Sequence, residues 1–124
     1  MESPKTITLA DKYAQFSDHW SPHIVADLNG QHVKIAKVSG EFVWHHHAQE
    51  DELFMVMQGT LFIDFEGHTQ TIGPGQLLVV PAGVEHRPRT APGEEVHILM
   101  IEPASTLNTG NVTDEHTKAD LPRI

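Results

Sequence analysis

The chain has no cysteine, so neither a disulfide framework nor a thiolate zinc knuckle is available to it. It is also short of positive charge. Eight Lys and Arg stand against 17 Asp and Glu, a net −9 with neutral histidines. An acidic surface repels phosphate backbones and anionic membranes, which argues against nucleic-acid and membrane partners. No apolar run approaches the length of a membrane span, and MESPKTITLADK lacks the apolar stretch of a secretion signal. The expectation is a soluble, cytoplasmic protein. At 124 residues there is room for one domain, and a 39% apolar fraction is enough for one core. What the chain has in excess is histidine, ten in all. Histidine is the commonest metal ligand and the side chain that moves protons near neutral pH.

Turn signals punctuate the chain at short intervals. Leu9, Tyr13 and Phe16 fall at i, i+4, i+7 and predict a short helix ended by Trp20-Ser21-Pro22. Asn29-Gly30 between two β-capable runs predicts a hairpin, since a type I′ turn needs positive φ at both central residues. Further strands are predicted over 52–57, 60–65, 68–72, 76–80, the stretch after Gly83, and 95–101. QLLVV (76–80) has the unbroken apolar pattern of a strand buried on both faces. Pro88 confines its own stretch to an edge or bulged strand. Eight or nine short strands with regular turns predict an all-β sandwich or barrel. The organisation is a lead-in over 1–22, a β-barrel over 23–102, and a polar segment over 103–124. In that last segment Thr113 is positioned to cap a short helix, and the whole reads as a mobile tail or an arm along a partner subunit.

The chemistry concentrates in two blocks. On an extended chain residues i and i+2 share a face, so His45 and His47 can reach one metal ion while Trp44 and His46 face away. Glu50, Asp51 and Glu52 follow. Glu52 is the preferred ligand because it shares a strand face with Phe54 and Val56, where a lone carboxylate is costly unless a cation meets it. Phe54 and Val56 then become the candidate substrate pocket. In the second block, a Pro81-Ala82-Gly83 turn carries the chain to His86, the natural fourth ligand. Three imidazoles and a carboxylate suit one divalent transition metal ion, and this mixed set does not choose among Fe, Mn, Ni, Zn, Co and Cu. His97 is an acid–base candidate if it faces inward with Leu99 and Ile101, and an ordinary surface histidine if not. Arg87 and Arg89 form a solvated rim, unless Pro88 breaks the alternation and turns one toward a substrate carboxylate.

These blocks resemble the paired motifs of the cupin superfamily. His45-x-His47, four residues, Glu52, six residues, Gly59 matches the first, with Gly40 one residue closer to His45 than usual. Gly75, five residues, Pro81-x-Gly83, two residues, His86 matches the second, with Thr90 where an Asn is common. The chain is similar, more weakly, to small single-domain cupins labelled phosphomannose-isomerase-like (mannose-6-phosphate isomerase-like). The resemblance implies a jelly-roll β-barrel, a metal held inside by His45, His47, Glu52 and His86, and a homodimer. It implies either a metal-dependent enzyme acting on a small polar molecule, of dioxygenase or isomerase/lyase type, or a non-catalytic module that binds or senses a small ligand. No Lys/Arg cluster suited to a sugar phosphate is visible in the sequence.

Overall fold

A computed structural model describes residues 3–124. One short helix, α1 (Leu9–Tyr13), precedes eight strands: β1 (His23–Leu28), β2 (Gln31–Val38), β3 (Glu52–Gln58), β4 (Leu61–Phe65), β5 (His68–Ile72), β6 (Leu77–Val80), β7 (Arg87–Arg89) and β8 (Val96–Pro103). All ladders are antiparallel. Five strands form one sheet in the order β1-β2-β8-β3-β6, and three form a second in the order β5-β4-β7. The sheets face each other as a jelly-roll sandwich, with no ladder of hydrogen bonds among the described residues joining them into a closed cylinder. Their inner faces supply one core: Ala36, Val38, Phe54, Val56, Ile98 and Met100 from the larger sheet pack with Leu61, Ile63 and Ile72 from the smaller.

Local chemistry explains most of the elements. Asn29 and Gly30 both take positive φ, 49° and 78°, and close the β1–β2 hairpin. Along β8 burial alternates strictly, with Val96, Ile98, Met100 and Glu102 inward. Pro88 sits in a three-residue strand at the edge of the smaller sheet, where its missing N–H costs no ladder bond.

Three expectations need correction. β6 is not buried on both faces: it is the outer strand of its sheet, and Leu77 and Val79 are 53% and 48% exposed. An apolar run fixes neither how many faces are covered nor by what. The helix stops at Tyr13, whose hydroxyl donates to the Ile98 carbonyl, and Phe16 lies beyond it, stacked on His23. Finally, the 103–124 segment lacks its expected helix and runs along the body of its own chain. Its own chain binds it: Ile24 N–H donates to Pro122 O and Ile124 N–H to Ile24 O. No helix forms after Thr113. There the polar side chains bond the nearby backbone instead, Asp114 Oδ1 accepting from His116 N–H and Thr117 Oγ1 from Asp114 N–H.

On the outer face of the smaller sheet, Asp64 accepts hydrogen bonds from Thr69, Arg87 and Arg89. Both arginines therefore point away from the interior, which removes the alternative of a substrate carboxylate bound by either one inside. The Arg89 hydrogen bond, with Thr69 and Arg87 and against the effect of burial, holds the Asp64 carboxyl far below its ordinary 3.8. A carboxyl with a lowered folded-state pKa stabilises above its unfolded pKa and loses that contribution as pH falls. Asp64→Asn is expected to cost about 1–3 kcal/mol in urea denaturation at pH 7, and the gap from wild type should shrink as pH falls below 3.8.

Gly110 has φ 55°, and a Cβ there would collide with the His46 carbonyl. Gly110→Ala should therefore lift the segment off the 45–47 stretch, read as faster proteolysis and amide exchange over 104–112 than in wild type.

Candidate metal centre

The two motif segments lie side by side. His45 N–H donates to His86 O at 3.0 Å, and His86 N–H returns a bond to His45 O at 2.9 Å. Gly83 N–H donates to His47 O, and Asp51 Oδ1 accepts from Ala82 N–H. At the far ends, Gly40 and Thr90 are joined through Thr90 N–H to Gly40 O and Gly40 N–H to Thr90 Oγ1. Residues 45–47 are thus an extended stretch rather than a full strand, but the alternation holds. His45 and His47 are buried. His46 turns outward to Glu85, and Trp44 lies on the surface under the Arg87 guanidinium. Trp44 packs neither in the core nor in a contact within the chain that hides it, being 40% exposed.

The structure brings His45, His47, Glu52 and His86 together. One donor atom from each lies within 4.8 Å of all the others, and the residues are only 1, 3, 3 and 0% exposed. Glu50 and Asp51, the other carboxylates considered, are outside this group: Glu50 accepts from Ser105 Oγ, and Asp51 serves the Pro81 turn. The tautomers are set by the backbone. Nδ1 of His45 lies 2.9 Å from Val43 O, and Nδ1 of His86 lies 2.9 Å from Val84 O. Each carbonyl demands a donor, so the proton sits on Nδ1 and the Nε2 lone pair is free. Burial, helped by the neighbouring His86, holds His45 down at about 4, so the ring is neutral at pH 7. Burial alone would raise Glu52, but the Glu102, His47 and His86 side chains that face it together hold it well below the usual carboxylate range. The result is a neutral His45 ring beside an anionic carboxylate, protonation states that suit a divalent cation.

The fit to a metal can be judged from what is left unsatisfied. Both ring nitrogens of His47 are buried without a hydrogen-bond partner. Glu52 Oε1 lies 3.3 Å from His86 Nε2 and 3.4 Å from His47 Nε2, long for hydrogen bonds. Buried polar atoms without partners are costly, and an unpartnered His47 ring whose donor converges with those of His45, His86 and Glu52 is the arrangement an ion resolves. The residues present fit the group.

A small cavity of about 30 Å³ adjoins the donors, with room for one or two waters. His45, Glu52 and Phe54 line it, as do Trp20, Phe42 and Glu102. Val56 does not; it is fully buried in the core one step further along β3. His97 does not either. It lies on the outer face of the larger sheet, stacked on Tyr13 and 3.1 Å from Glu95. Its phase was ambiguous because β8 is apolar on both faces. Trp20, Phe42, Lys34 and Glu102 are residues the motif reading did not single out. A signal for the last two exists: Glu102 falls in phase with Val96, Ile98 and Met100, and Lys34 with Ala36 and Val38.

Comparisons with known proteins agree with this architecture. Residues 31–102 match the Cupin domain family. A cupin-2 domain containing protein from Shewanella frigidimarina is 47% identical, with a TM-score of 0.76 over 78% of this chain and 93% of that one. Protein NMB1881 from Neisseria meningitidis is 31% identical, with a TM-score of 0.72 over 81% and 100% of the respective chains. The uncharacterized protein YdbB of Bacillus subtilis is 37% identical over 81 residues, 64% of this chain and 66% of that protein. With more than half its length in the family match and both motif blocks inside it, the chain belongs to the cupin family.

Proposed function

We propose that this cupin is a divalent-metal-dependent enzyme acting on a small molecule, of the dioxygenase or the isomerase/lyase type. The observation that carries the reading is the convergence of four buried donors, one per residue, inside an apolar shell. A bound ion would supply Lewis-acid polarisation of a substrate oxygen or, if redox-active, a path for electrons to dioxygen. The chain's own residues do the rest. His45 and His86 present Nε2 because their Nδ1–H groups are held by carbonyls. Glu52 contributes the negative charge. Trp20, Phe42 and Phe54 exclude bulk water and favour a substrate whose body is apolar and whose polar end meets the donors.

A second reading, a non-catalytic module that binds or senses a small ligand, is favoured by one observation. With His97 on the outer face, no imidazole besides the metal-ligand candidates lines the cavity among the described residues.

The homodimer belongs to the same proposal. The outer strand β6 exposes Leu77 and Val79, with Met57 of β3 also exposed. A second copy covering that surface would bury it, where a monomer leaves apolar side chains in water. Leu77→Lys with Val79→Lys should convert a dimer to a monomer in light scattering, and a wild-type protein that is already monomeric excludes this part.

Isothermal titration of metal-stripped, untagged protein with Co(II) should give one site per chain. Glu52→Ala and His47→Ala should each weaken it at least 100-fold. The His47 side chain makes no hydrogen bond that its truncation would break, so the fold of that variant should survive. Saturating metal at 100 times Kd should raise stability by about 2.7 kcal/mol. No binding by wild type excludes a metal centre. Metal-loaded protein screened with diketones, keto acids and aldoses in an oxygen electrode and by isomer analysis should turn over one class. Binding without turnover of any class favours the sensing module.

A further inference from the structure

The cavity beside the donors, at about 30 Å³, has room for one or two waters and is too small for an organic substrate. A substrate therefore reaches the donors only where part of the wall gives way. Most of that wall lies in antiparallel ladders, as Ala36, Phe54 and Ile98 do, and opening it there would break backbone bonds. Phe42 and His45 are tied by backbone bonds to Pro88 and His86. Asn108 is fixed through its amide, which donates to His116 O and accepts from Lys118 N–H. Trp20 is fixed too: its N–H donates to Lys37 O and its Nε1–H to Ser39 O, each at 2.9 Å. Its φ of 57° is an outlier for so bulky a residue and persists only because such contacts hold it.

Pro22 is different. Neither Ser21 nor Pro22 takes part in a backbone–backbone hydrogen bond among the described residues, and proline has no N–H to give. Pro22 is buried, and it borders a second cavity as well, of about 160 Å³, between the lead-in and residues 118–122. Asp18, Lys118 and Asp120 on the rim of this second cavity are exposed, so it opens to solvent. Pro22 is the residue the two cavities share. On the facing side, Ala119, Asp120 and Leu121 also make no backbone–backbone hydrogen bond among the described residues. Chain that no ladder holds yields first. A larger cavity of about 230 Å³ touches His47 beside Leu107 and Gly110, but it shares no lining residue with the inner one. Both ring nitrogens of His47 are buried, so that cavity meets the residue without reaching its donor.

We propose that Pro22 is a specificity-determining residue, the gate between solvent and the donors: a substrate enters through the cavity between the lead-in and residues 118–122 and passes Pro22 beside the fixed indole of Trp20, so small unbranched molecules are admitted ahead of branched or cyclic ones. This deepens the metal-centre reading and rests on it for what the substrate meets inside. The passage itself is a property of the fold, and it is open to measurement without metal.

Two measurements on the full chain test it. With Trp44→Phe as background, Trp20 is the one remaining tryptophan, and acrylamide quenching of metal-free protein reports access to it. Pro22→Ala should raise the quenching constant at least threefold, and Leu107→Ala, beside the other cavity, should leave it nearly unchanged. In Co(II)-loaded protein the visible spectrum follows the rate at which azide and imidazole reach the ion. Pro22→Ala should speed imidazole at least fivefold and azide less than twofold. The chain has no cysteine, so Leu121→Cys takes a bulky maleimide at one place. That label should slow both ligands at least fivefold, whereas the same label on Leu107→Cys should not, and this pair serves if Pro22→Ala does not fold. Quenching in Pro22→Ala equal to that of its background, or a label at 107 that slows entry as much as one at 121, overturns the route. Equal acceleration of azide and imidazole overturns Pro22 as the selective element. Failure of wild type to take up Co(II) overturns the metal centre, and the quenching result then decides the route alone.

Discussion

The fold is organised around the cost of placing three imidazoles and a carboxylate in an apolar interior. Four polar side chains, each at most 3% exposed, would destabilise an ordinary β-sandwich. Here the backbone offsets part of that cost. The mutual bonds between His45 and His86 join the two motif segments at the point where their side chains turn inward. The carbonyls of Val43 and Val84 satisfy one nitrogen of each ring and so fix which nitrogen stays free. Within the group, what remains unsatisfied is the His47 ring, which faces the Glu52 carboxylate across the point where the four donors converge.

This division of labour gives the surrounding elements their roles. The Pro81-Ala82-Gly83 turn, held by Asp51, delivers His86 to the same depth as His45. The C-terminal segment returns over the motif and packs at Gly110 against His46, so it is part of the wall and not an appendage. The larger sheet contributes one of the four donors, Glu52, and behind it the Lys34–Glu102 pair. A row of ionisable groups therefore crosses an otherwise apolar face.

Much of this was legible in the sequence because it depends on short-range rules. The Asn29-Gly30 hairpin, the placement of Pro88 at an edge and the inward pairing of His45 with His47 follow from backbone sterics and a two-residue period. The two motif blocks carried the four donors and the family. What escaped depends on long-range packing. The phase of His97 could not be read because Val96, Ile98 and Met100 compete with Leu99 and Ile101 as equally apolar sets. The exposure of Leu77 and Val79 is decided by the absence of a covering layer, which a run of apolar residues does not encode. The path of residues 104–124 is set by contacts with His46 and Ile24, 60 and more positions away. Lys34 and Glu102 sat in phase with buried neighbours, but a charged residue in a strand reads as solvated until its partner on another strand is seen.

The two tryptophans occupy opposite environments. Trp20 is shielded, stacked on Phe42 and bordering the space beside the donors, whereas Trp44 lies at the surface beneath a guanidinium. Emission from the shielded indole is therefore expected to lie to the blue of that from the exposed one. A disturbance of the interior and one at the surface would move different parts of the spectrum.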